Sequence, residues 1–141
     1  MFRRLVILAG CSVLMAGPAF AATETFHATL TAGAEVPPTK STGSGDATVS
    51  LDTATHEITY DVKFSGFSSD ATAAHIHGPA EAGKNAGVLV PLGSAPKSPI
   101  HGTAKLTAEQ EQALTSGMTY VNIHSKNNPG GAIRGQLTAV K

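Results

Sequence analysis

Two histidines stand either side of one isoleucine in AAHIHGPA, residues 73–80, and a third closes MTYVNIHS, residues 118–125. Successive side chains of a strand point to opposite faces, so His75 and His77 share a face opposite Ala74 and Ile76. In the second segment Val121 and Ile123 take the apolar face, which leaves Tyr120, Asn122 and His124 on the other. All three histidines thus point away from the apolar face of their own strand. If the two strands are neighbours, or lie close across a barrel edge, three imidazoles converge on one outer-face site. Three neutral imidazoles with an open fourth position suit zinc or copper. Asn122 is then expected to orient the ligating rings from outside the metal's own shell. The competing reading makes these surface histidines on a polar sheet face, or hydrogen-bonding partners that pin loops.

The remaining histidines carry less. His27 alternates with Phe26 and Ala28 and is expected to face solvent, and His56 falls at a turn. His101, in PIHGT, is a candidate fourth ligand should its strand lie beside the site. Other motifs fail on inspection. GPAEAGKN, residues 78–85, nearly spells a phosphate-cradling loop, but Asn85 replaces the Ser or Thr that holds magnesium and the strand-like VLVPL follows instead of a helix. HEITY, residues 56–60, begins like a zinc-protease helix yet ends in Tyr60 and alternates as a strand. No serine sits in a GxSxG elbow, so nucleophilic hydrolysis has no support and the reading leans away from an enzyme.

The elements that must position the histidines are strands. Period-two alternation runs through TFHATL, DATVSL and ITYDVKF, whose apolar faces are Phe26/Ala28/Leu30, Ala47/Val49/Leu51 and Ile58/Tyr60/Val62/Phe64. Further short runs follow at AAHIH, VLVPL, IHGTAKL, MTYVNIH and IRGQLTAV, punctuated by GPAEAGKNAG, GSAPKSP and NNPGG. Eight or so short strands at this spacing predict an all-β fold, a Greek-key sandwich or barrel. One segment departs: TAEQEQALTSG predicts a short surface helix, with Thr107 as cap, Gln110 three residues on and Gly117 as the stop. Glu35–Asp46 reads as a loop that Pro37 and Pro38 keep out of any central strand.

The first residues are read apart from the fold. MFRR is a basic start, LVILAGCSVLMAG an apolar run and AFA a small-residue cleavage signal, which predicts a secretory signal over residues 1–21 and a single domain over 22–141. LAGC, Leu8–Cys11, offers the rival pattern by which bacterial lipoproteins acylate a cysteine, but it comes too early for a normal apolar segment. The run is also too short for a transmembrane span. Without Arg3 and Arg4, eight basic residues face ten acidic ones, so no basic field for nucleic acid remains. Cys11 is the only cysteine, so the predicted mature domain holds itself together without a disulfide.

AHIHGPAEAGKNAGVLVPL, followed by LTSGMTYVNIHSKNNPGGAIRGQL, resembles the CHRD domain, and the likeness extends over nearly all of the predicted mature chain, residues 23–140. The resemblance implies an immunoglobulin-like β-barrel and a periplasmic or secreted location. The HIH with a later NIH is also similar to the histidine pattern of copper-zinc superoxide dismutases, although the disulfide cysteines and the Asp-containing zinc loop of those enzymes are missing here. Arg134, in RGQL, is expected as a strand-end surface charge, with an anion guide beside the site as the alternative. Two functions stay open: a three-histidine copper or zinc module, and a non-enzymatic envelope or protein-interaction module whose histidines are structural.

Overall fold

The computed structural model describes Gly17 and residues 20–141. The predicted signal segment, with Cys11, lies almost wholly outside the described residues. Nine strands and one α-helix follow: β1 (Thr23–Leu30), β2 (Ser44–Asp52), β3 (Glu57–Ser65), β4 (Ala71–His77), β5 (Val88–Ser94), β6 (Ile100–Lys105), α1 (Ala108–Thr115), β7 (Tyr120–Ser125), β8 (Asn128–Gln136) and β9 (Thr138–Ala139). They form two antiparallel sheets, ordered β6-β3-β2-β1-β9 and β5-β4-β7-β8. The result is an all-β sandwich; among the described residues the sheets do not close into a barrel.

Alternation builds the core. Phe26, Leu30, Val49, Leu51, Ile58 and Val62 of the five-stranded sheet meet Ala74, Ile76, Val121, Ile123 and Ile133 of the four-stranded one, every one of them buried. Each large apolar side chain so buried contributes about 1.5–3 kcal/mol. Because Ile76 and Ile123 are drawn inward by this term, the neighbouring histidines are turned outward. Packing of one face thereby orients the other.

The helix forms as its capping pattern predicts: the Thr107 hydroxyl accepts from the Gln110 N–H, and the Gln110 side chain accepts from the Thr107 N–H. Pro91 falls in β5, an edge strand, where a missing N–H is tolerated. Two strands overrun their apparent borders. β2 begins at Ser44, inside the Gly- and Ser-rich stretch, and β8 begins at Asn128, inside NNPGG. In both, the partner strand supplies the ladder: Ser44 lies opposite Ser65 and Asn128 opposite Ser125. No helix among the described residues is long and apolar enough to cross a membrane.

Candidate metal centre

β4 and β7 are neighbours, which meets the condition that parity alone left open. Their register sets His75 opposite Asn122, His77 opposite Tyr120 and Ala73 opposite His124, and β8 continues the rows with Arg134 opposite Asn122 and Gln136 opposite Tyr120. The outer face of the four-stranded sheet thus carries His75, His77, His124, Tyr120, Asn122 and Arg134 together. It is not an open polar face. The 78–87 segment and Glu35 pack over it, leaving His77 only 9% exposed.

One nitrogen from each of His75, His77 and His124 falls within 4.8 Å of the others. The Nδ1 of His75 and the Nε2 of His124 are 3.2 Å apart. His77 Nδ1 lies 3.0 Å from the Ala86 carbonyl oxygen, and His124 Nδ1 lies 2.8 Å from that of Pro129. A carbonyl only accepts, so in the neutral rings both Nδ1 atoms carry the proton and both Nε2 atoms keep the lone pair. The Nε2 of His77 is buried and, among the described residues, has no hydrogen-bond partner. Buried polar atoms are nearly always satisfied, so a lone pair left over on a ring that stands beside two other imidazoles marks a place for an electrophile.

The residues fit a metal. Ligating histidines characteristically anchor their second nitrogen on a carbonyl or carboxylate, as His77 and His124 do. Metal–nitrogen bonds to zinc run about 2.0–2.1 Å, and tetrahedral angles then set two ligand nitrogens about 3.4 Å apart. The His75 Nδ1–His124 Nε2 pair, at 3.2 Å, already has that spacing, and closure draws the His77 nitrogen inward by at most about 1.4 Å. Burial pushes His75 below the usual imidazole range, aided by His124 and His77, and burial likewise lowers His77 against the opposing pull of the Ala86 carbonyl. These two donors are held neutral.

The surroundings correct several expectations. Asn122 bonds to no histidine: its Nδ2 donates to the Glu35 carboxylate and, at 3.1 Å, to the Ile133 carbonyl oxygen. Arg134 is neither a surface charge nor an anion guide, being 6% exposed with its Nε 2.9 Å from Glu35 Oε2. Glu35, the first residue of the stretch read as a loop, is 3% exposed; burial pushes its carboxyl up while Arg134 and Asn122 oppose the shift. Gly131 makes this packing possible, since a Cβ there would lie 2.8 Å from both Asn122 Nδ2 and Glu35 Oε1. His101 is no fourth ligand, because β6 belongs to the other sheet and its ring pairs with Asp61 at 2.7 Å. His27 is exposed beside Asp46 and His56 sits at the β2–β3 turn beside Glu111, both as anticipated in placement.

Parity places Tyr120 on the histidine face and says nothing of its role. Its ring stacks on His77 with centroids 5.0 Å apart and planes 4° from parallel, and the Arg134 guanidinium covers it at 4.2 Å. Its hydroxyl lies 3.1 Å from the Ala86 N–H. Glu35 had no local signal in its own segment.

Fold and site together define an antiparallel β-sandwich that presents three convergent histidines on a covered outer face. The CHRD domain family model matches residues 26–137, and the chain belongs to that family. Comparison with curated proteins finds no match.

Proposed function

We propose that the protein is an exported copper- or zinc-binding module, with His77 Nε2, His124 Nε2 and one ring nitrogen of His75 as the protein ligands. The observation that carries this reading is the buried, unpartnered Nε2 of His77, on a ring of which one nitrogen lies within 4.8 Å of a ligand nitrogen of His75 and of His124. Three imidazoles suit either metal, and one coordination position stays free for water or a small ligand. A purely structural role for the histidines draws on the same two carbonyl bonds but leaves that nitrogen without a reason. Titration of metal-free protein with copper and with zinc tests the reading: wild type and His27→Ala bind alike, whereas His124→Ala weakens binding by at least about a hundredfold, more than loss of an outer partner typically costs. Equal affinity in His124→Ala sinks it.

Export rests on the basic, apolar and AFA succession of residues 1–21, and on a folded body into which Ala22 is already hydrogen-bonded through Thr53. Mass spectrometry of the chain recovered outside the cytoplasm is expected to find Ala22 first. A lipid on Cys11 overturns cleavage after Ala21.

A further inference from the structure

One atom decides which nitrogen His77 offers: the Ala86 carbonyl oxygen, which accepts from Nδ1 and leaves the lone pair on Nε2. What holds that carbonyl is remote in sequence. Ala86 is bonded at both backbone groups by the Tyr120 hydroxyl, at 3.1 Å to its N–H and 3.3 Å to its oxygen. The two residues before it are held by Arg134, whose Nη1 donates to the Lys84 carbonyl at 3.1 Å and whose Nη2 donates to Asn85 Oδ1 at 2.6 Å. Asn85 Nδ2 donates onward to the Val36 carbonyl at 3.0 Å, beside Glu35, the partner of the Arg134 Nε. A guanidinium is a planar fork of fixed donors, so one side chain here braces the 78–87 segment, the Glu35 loop and the Tyr120 ring at once.

Building on the metal reading, we propose that Arg134 is a positioning residue: by docking Lys84 and Asn85 it keeps the Ala86 carbonyl against His77 Nδ1, so that Nε2 faces the site. The two Gly-rich segments singled out in the sequence then have a joint purpose, since one carries the carbonyl and the other leads into the arginine that fixes it. A lysine at 134 keeps a charge beside Glu35 but lacks the fork. Alanine at 85 removes one anchor at an exposed position and leaves the Glu35–Arg134 pair intact.

The test uses the metal-free full domain, with nitrogen NMR of the histidine rings well above pH 6.5. In wild type His77 is expected as the Nδ1–H tautomer. In Arg134→Lys and Asn85→Ala it becomes a mixture, while His124, anchored separately on Pro129, keeps its own. Affinity for copper or zinc alone then falls about 10–100-fold in both variants, the range typical of outer partners. A His77 tautomer unchanged in both variants overturns the proposal even if metal binds normally. Wild-type protein that binds neither metal overturns instead the reading beneath it.

Discussion

The six histidines divide into two groups that their sequence contexts barely distinguish. His27, His56 and His101 belong to the five-stranded sheet or its turn, and each meets one carboxylate: Asp46 at 3.5 Å, Glu111 at 2.6 Å and Asp61 at 2.7 Å. Each is exposed. His75, His77 and His124 belong to the four-stranded sheet, meet one another and backbone carbonyls, and have no carboxylate among their hydrogen-bond partners. The first group faces carboxylate oxygens. In the second, burial lowers His75 and His77 from their ordinary value, and a lone pair kept free of protons is what a metal needs. The partner, more than the residue type, decides which chemistry an imidazole can do.

Acid is the strongest way to separate the groups. Each ligand proton competes with the metal, so affinity falls by about tenfold per pH unit per protonated ligand, approaching about a thousandfold per unit when all three titrate. Since burial holds His75 and His77 below the usual range, the steepest part of the curve is expected below pH 6.5. Apparent copper affinity measured between about pH 5 and 8 decides the matter, and a curve flat throughout argues against three histidine ligands.

The metal-free protein offers a smaller effect with the same origin. Between the depressed folded values and 6.5, the unfolded chain binds more protons at His75 and His77 than the folded one, so stability is whole above 6.5 and is lost as pH falls through the folded values. Glu35 has the opposite sign: with its folded value raised, its contribution is whole below its ordinary 4.5 and is lost as pH rises. Asp52 and Asp70, both lowered by hydrogen-bonding partners, lose theirs only near and below 3.8. Thermal melts from pH 7 to 5 should therefore show a falling melting temperature in wild type and in His27→Ala, and a shallower fall in a His75→Ala/His77→Ala double variant.

The smallest expected effect concerns His56, whose φ of 59° lies in the left-handed region. Glycine adopts that conformation without strain, whereas the exposed pair with Glu111 contributes at most about 1 kcal/mol. His56→Gly should therefore change stability by less than about 1 kcal/mol in denaturant titration, with metal affinity unaltered. A large change in affinity would erase the distinction between the two groups.

Much of the site was legible because side-chain parity is local. A strand alternates whatever surrounds it, so Ile76 and Val121 at the core already imply His75, His77 and Tyr120 on the far side. The helix was legible for a similar reason, its capping box being closed within the four residues Thr107–Gln110. Parity does not say what covers a face, which nitrogen points where, or whether a charge is buried. Those properties depend on groups brought together from far apart: His75 and His124 are separated by 49 positions and Glu35 and Arg134 by 99. Residues 1–141 thus determined by themselves the strands, the helix and the orientation of three imidazoles. The pairing of β4 with β7, the burial of Glu35 against Arg134 and the carbonyl that sets the His77 tautomer were decided by the folded molecule alone, because hydrogen-bond partners and desolvation are properties of neighbours in space.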